Sequence, residues 1–130
     1  IKNKQTCEFL NYIINIKNNI NKNFINNKYS LSNITYHKNN IIYIIAGDFN
    51  MLYKSELYNK FINKLEKIFN INTNKNTLIT DASNNTQIDY IINCYDKDLK
   101  NIPTSDTYII DNIENNRISD HNILVKKFKV

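Results

Sequence analysis

Tryptophan is absent from this 130-residue chain, and glycine, proline and methionine occur once each. Asn, Ile and Lys fill the space these residues leave, a bias that reads as coding drift toward AT-rich codons. Asn-rich stretches would ordinarily mark loops or low complexity. Here Asn also occupies exposed helix positions, so it punctuates weakly. Cysteine is scarce too. Cys7 and Cys94 have no C-x-x-C spacing and no paired histidines, which excludes a zinc site built on them. Two isolated cysteines are expected to be reduced structural thiols, and an intracellular setting is favoured. No apolar run approaches the ~20 residues that would span a bilayer, so no transmembrane segment is expected. No signal peptide is in view. The chain opens with Ile1 and not Met, so its true N-terminus is expected to lie upstream.

What remains is a foldable composition. The hydrophobic fraction of 42% excludes a disordered chain, and 130 residues suffice for one small domain. The net charge of +5 suits a polyanionic partner, either nucleic acid or an anionic membrane. The lysines are scattered and form no dense run, so coding bias accounts for the charge equally well.

Apolar residues at helical spacing predict a helix over 5–21, with Phe9, Ile13, Ile16 and Ile20 as its stripe and Leu10 and Ile14 beside it. Residues 21–40 read as a long polar connection. The run Ile41-Ile-Tyr-Ile-Ile-Ala46 predicts a strand buried on both faces, ending at Gly47. Ser55 is placed to cap a second helix, with Leu57, Phe61, Leu65 and Ile68 as its buried stripe. Strands are predicted over 77–80, 87–93, 107–110 and 122–128. In the second of these, Ile88, Tyr90 and Ile92 face one way and Asp89, Ile91 and Asn93 the other. Pro103 marks a turn. This order predicts a mixed α/β (α+β) domain with helices packed on a sheet.

Three short segments carry candidate chemistry: Gly47-Asp48-Phe49-Asn50, Ile88-Asp89-Tyr90-Ile91 and Ser119-Asp120-His121. The first delivers a carboxylate and an amide to the end of a buried strand, where loops build sites. Each also has a plain structural account. Gly-Asp is common turn chemistry, and Ser-Asp-His could be a solvated turn before a strand. The survival of Gly47 points to a position with no room for a Cβ or with positive φ. A carboxylate is a natural ligand for a hard divalent ion, and an imidazole titrates near neutrality. Asp89, inside an apolar strand, is costly unless a cation or donor meets it. It lies at an exposed edge, or it accepts a bond from His121 and holds that ring in place. His37, in the polar connection, is expected to be merely solvated.

Together, IIYIIAGDFN, TQIDYII and ISDHNILV resemble, in order and spacing, the endonuclease/exonuclease/phosphatase (DNase I-like) superfamily. Gln5 at the start of the lead-in helix and Ser55 and Tyr58 after the GDFN loop add to the likeness. The resemblance spans the whole chain but only the C-terminal half of a family domain, and the N-terminal half is missing. It implies the C-terminal half of a DNase I-like four-layer αββα sandwich, mostly antiparallel sheet flanked by helices. It implies a hydrolase that needs Mg²⁺ or Mn²⁺ and cleaves phosphodiester bonds, most simply a nuclease acting on DNA or RNA. The alternatives are a phosphoinositide or sphingomyelin phosphodiesterase that takes a phospholipid headgroup, or a truncated, non-catalytic binding remnant. Residue by residue, Asp48 would orient or deprotonate the attacking water and Asn50 would hold a phosphate oxygen. Asp120, with Asp48, would bind the metal. His121 would stabilise charge on the phosphate or move a proton, and Asp89 would orient His121. Tyr53, just past the loop, is the aromatic expected near a substrate. The family's metal-binding Glu and first-half Asn have no counterpart, since Glu8 and Glu56 lie on predicted helices. Gln87 stands where the family often has Arg. The isolated 130 residues are therefore expected to be inactive or nearly so.

Overall fold

The computed structural model describes residues 2–25, 41–73, 76–110 and 119–129. The connection after residue 25, with His37, and the side chain of Ile20 lie outside the described residues. The elements, in order, are α1 (Lys2–Ile25), β1 (Ile42–Asp48), α2 (Glu56–Glu66), β2 (Phe69–Asn72), β3 (Asp89–Asp96), β4 (Ser105–Ile110) and β5 (Ile123–Phe128). They form an α+β fold with two antiparallel sheets. One has the order β1-β3-β2 and the other is the pair β4-β5.

Strand β3 is the organiser. Along it, side chains alternate between faces. Tyr90, Ile92 and Cys94 face the helices and join a core with Ile45 of β1, Phe69 of β2, Leu10 and Ile13 of α1, and Tyr58, Phe61 and Leu65 of α2. Ile91, Asn93 and Tyr95 face the other way, and Asn93 and Tyr95 are buried there. On that side lies β5, whose Lys126 ammonium donates to the carbonyls of Asn72 (2.7 Å) and Ile91 (3.1 Å). One lysine thus ties the hairpin to the sheet. Burial pulls its pKa down to about 8.

Helix α2 starts where Ser55 Oγ accepts from the Tyr58 amide, satisfying one donor of the first turn. Its buried stripe is Tyr58, Phe61 and Leu65, with Leu57 and Ile62 at the margins. The helix stops at Glu66, so Ile68, expected in its stripe, packs on the core from beyond the helix end, and Phe69 begins β2. Helix α1 is longer than its apolar spacing predicts. Ile16 turns out exposed, and Lys17 takes the next place on the buried side. The Lys17 ammonium donates to Ile68 O at 2.8 Å and lies 4.7 Å from the centre of the Phe69 ring.

Three expectations need correction. Strand β1 is not buried on both faces: Tyr43 and Ile45 meet the helices, but Ile44 is 51% exposed. The reason is that β1 is an edge strand of its sheet, and β5 packs chiefly on the central strand β3. Residues 77–80 form no strand, because the polar groups of Gln87 and Thr80 replace a ladder there. The 87–93 strand in fact runs from Asp89 to Asp96. Gly47 has φ +150 with nothing near the site of a Cβ, so conformation and not crowding accounts for glycine. Ile44, Tyr108, Ile110 and Ile123 leave apolar surface on β1 and the hairpin in solvent. No helix among the described residues is long and apolar enough to cross a membrane. Both cysteines are free, and burial raises the Cys94 thiol to about 12.

Phe61, 1% exposed, sits where α1, α2 and the sheet meet. Phe61→Ala is expected to lower unfolding free energy by about 3–5 kcal/mol, read as a fall in the urea midpoint. A loss under about 1 kcal/mol would show that this junction is not the core.

Candidate functional site

The site grows from the register of β1 on β3. Ala46 pairs with Ile91, Gly47 with Tyr90 and Asp48 with Asp89, so two carboxylates stand opposite each other on the face away from the helices. Like charges directly opposite across a ladder repel. His121 is placed between them. Its Nδ1 is 2.8 Å from Asp89 Oδ2, and its Nε2 is 4.0 Å from Asp48 Oδ2 and 4.0 Å from Asp120 Oδ1. With a carboxylate as acceptor, Nδ1 carries a proton and donates. Nε2 is left facing the two outer carboxylates. Asp89 is 20% exposed, on the central strand of its sheet, and not an edge residue in water.

The surroundings hold this arrangement. The Asn50 amide donates to Asp48 Oδ1 at 2.8 Å, which turns Oδ2 toward the imidazole. Asn50 takes φ 51, a left-handed conformation that Asn tolerates. The Phe49 amide donates to Ile88 O at 2.9 Å and extends the pairing past Asp48. The Tyr90 hydroxyl shares its proton between the carbonyls of Met51 and Gln87, which ties the loop after Asn50 to β3. On the other side, Ser119 Oγ accepts from the His121 amide at 3.1 Å. The Ala82 amide donates to Asp120 O at 2.9 Å, and the Asn122 amide donates to Thr80 O at 2.7 Å.

Those last two bonds expose residues that pattern reasoning missed. Thr80 is fully buried, and its Oγ1 accepts from the amides of Ile88 and Asp89, both at 3.1 Å. It therefore holds the start of β3 and, through its carbonyl, the residue after His121. Asp81 closes the turn 81–86. Its carboxylate accepts from Ser83 Oγ (2.7 Å) and Asn84 Nδ2 (2.8 Å), and these bonds hold its pKa down at about 2. Gln87 is also buried. Its Oε1 accepts from the Leu78 amide at 2.9 Å, a bracing role for the position where an Arg was the expectation. The run Thr80-Asp-Ala-Ser-Asn-Asn-Thr86 is turn chemistry, and that was the available signal.

The structure therefore brings Asp48, Asn50, Asp89, Asp120 and His121 to one place. Tyr53 borders the loop. Its ring meets Tyr58 edge-on at 5.2 Å and has the Lys54 ammonium 5.4 Å away, so it is engaged with its own neighbours. Single ligand atoms of Asp48, Asp89 and His121 lie within 4.8 Å of one another. Because Asp89 and Nδ1 are bonded to each other, the donors open to an ion are the outward carboxylates of Asp48 and Asp120. They are oxygens, as a hard divalent cation requires. Compared with protein-family models, with curated proteins and with solved structures, the chain matches none.

The His121 pKa is raised, first by its hydrogen bond to Asp89 and then, against partial desolvation, by the charges of Asp89, Asp120 and Asp48. A histidine whose folded pKa exceeds its unfolded value of 6.5 adds stability that is fully present below 6.5. That stability is lost as pH rises through the folded pKa. The expected outcome is a wild type that loses more stability between pH 6 and pH 9 than Asp89→Asn does. The His121 ring is also expected to titrate lower in Asp89→Asn, by NMR. Equal titration in both proteins would remove Asp89 as the cause. Thr80→Val strips one acceptor from two amides and is expected to cost about 1–3 kcal/mol. It should also lower the His121 pKa, because Asp89 loosens.

Proposed function

We propose that these residues form the C-terminal part of the catalytic centre of a divalent-metal-dependent phosphodiesterase with the DNase I-like architecture, acting on nucleic acid. One observation carries the reading: an imidazole clamped at Nδ1 by Asp89, with its Nε2 turned to the space between Asp48 and Asp120. Structural turns do not need three acids from three separate segments around one histidine.

Phosphodiesters resist water because they are anions. A bound Mg²⁺ or Mn²⁺ would supply charge neutralisation at the non-bridging oxygens. The donor set fits that ion in kind, with Asp48 and Asp120 offering carboxylate oxygens. The chain's own residues do the rest. Asp89 keeps the imidazole oriented and favours its protonated form, so that Nε2–H can donate to a phosphate oxygen or to the departing oxygen. Asp48, fixed through Oδ1 by the Asn50 amide, holds Oδ2 free to orient a water for in-line attack. Asn50 would offer its side-chain amide as a donor to the phosphate. The +5 net charge suits a polyanionic partner. A second reading, in which the chain is a non-catalytic binding remnant, rests on the absence from this sequence of counterparts to the family's first-half Asn and Glu.

The two readings separate by ion placement and turnover. Mn²⁺ added to the 130-residue chain is expected to broaden the NMR signals of Asp48, Asn50, Asp120 and His121 before any others, with Mg²⁺ competing. Broadening confined to other acidic surface would sink the catalytic reading. In a domain that also supplies the family's Asn and Glu, His121→Gln is expected to lower Mg²⁺-dependent cleavage of a labelled oligonucleotide by about 10²–10⁴-fold. The 130 residues alone are expected to show little or no turnover.

A further inference from the structure

Beside the carboxylate site lies a cavity of about 230 Å³ that the chemistry above does not use. It opens between the first turns of α1 and the loop after β1. Asp48 and Asn50 line it as well as the site, so the cavity and the site adjoin at the end of β1. Its walls are Phe9, Phe49 and Phe61, with Met51 and Leu57. Phe61 is buried, while Phe9 and Phe49 are half-buried and reachable. The ring centres of Phe9 and Phe49 are 5.7 Å apart and tilted by 58°, so the two rings present differently oriented surfaces. The rim is polar, formed by Gln5 and Thr6 of α1.

We propose that this cavity is the subsite for a single unpaired nucleobase, the base of the nucleotide whose phosphate is held at Asn50 and His121. The inference rests on the phosphodiesterase reading and names its substrate as single-stranded nucleic acid or an extruded nucleotide. Three features carry it. The volume falls below the ~300–1,000 Å³ of sites for drug-sized ligands, so one planar ring system fits and a whole nucleotide does not. Aromatic walls suit the face of a base, whose stacking on aromatic side chains tolerates any sequence. Gln5 offers both donors and an acceptor, which match a base edge. A choline group has neither donors nor acceptors for that rim, and an inositol has no apolar face for those walls. A base inside a duplex is stacked on its neighbours and cannot enter, so the cavity selects unpaired nucleotides.

Met51 is the only methionine of the chain and lines the cavity, so its methyl group is a built-in reporter. The full chain, labelled with ¹³C-methyl methionine, is titrated with a nucleoside 5′-monophosphate, with ribose 5-phosphate and with phosphocholine, all with Mg²⁺ present. His121 ring signals, assigned through His121→Gln, report the phosphate. The nucleotide is expected to shift both reporters, and ribose 5-phosphate to shift His121 alone. Gln5→Ala, at an exposed helix position, is expected to weaken the Met51 response by roughly two- to tenfold. If the nucleotide shifts His121 and leaves Met51 unmoved, the base subsite is overturned and the phosphate site stands. If neither reporter responds to any compound, both fall. A Met51 shift with phosphocholine equal to that with the nucleotide overturns the base in favour of a choline headgroup.

Discussion

Two carboxylates facing each other across an antiparallel ladder are the constraint around which the rest of this structure is organised. The pairing of Asp48 with Asp89 follows from the β1–β3 register, and that register follows from burying Ile45, Tyr90 and Ile92 against the helices. A slip of one residue would send every buried side chain to the wrong face. The hydrophobic core therefore fixes an electrostatic conflict at the end of the sheet. A cationic partner resolves it, and the imidazole of His121 is the one the chain supplies. Thr80, Asp81, Gln87 and Ser119 act at one remove, because each fixes the backbone on which an acid or the histidine rides.

Much of this was legible in the sequence. β1 and β3 could be read because their apolar content is high and β-branched, and the faces of β3 followed from simple alternation. The cap at Ser55 obeyed local rules, since a helix start needs a side-chain acceptor wherever it lies. The acids and the histidine stood out because charged groups at strand ends are costly unless used. β2 was not legible. Phe69-Asn-Ile-Asn72 carries two apolar residues that continue the periodicity of α2, and only its pairing with β3 makes it a strand. Thr80 and Asp81 were hidden for a different reason. Their value lies in backbone groups brought from residues 83–89 and 120–122, and the turn chemistry of the run 80–86 signals a turn without showing which strands it braces.

The abundance of asparagine also takes on a physical sense. Asn70 Nδ2 reaches the carbonyl of Leu99 at 2.9 Å, Asn72 Nδ2 that of Pro103 at 2.9 Å, and Asn122 Nδ2 that of Ile79 at 2.8 Å. In each case a side-chain amide ties down a connecting segment whose carbonyl has no ladder partner. A chain nearly without glycine and proline cannot shape its connections through backbone preference. It shapes them with side-chain amides, and Asn50 adds the left-handed conformation that glycine would otherwise supply.

Strand β5 lies over the face of β3 that carries Asn93 and Tyr95 and is bonded there through Lys126, and His121 stands just before it in the chain. Were the hairpin to open before the helix-backed sheet, Asn93 and Tyr95 would be uncovered and the bonds of Asp120 and Asn122 to Ala82 and Thr80 would break. In that opened form Asp48 and Asp89 would face each other with no imidazole between them. Backbone amides of β5 should then exchange with solvent through a partial opening that spares β3, at a lower free energy than global unfolding. The candidate site would thus exist only in the fraction of molecules with the hairpin closed. Its strength would track the grip of Lys126 on two carbonyl oxygens together with the backbone bonds that tie Asp120 and Asn122 to Ala82 and Thr80.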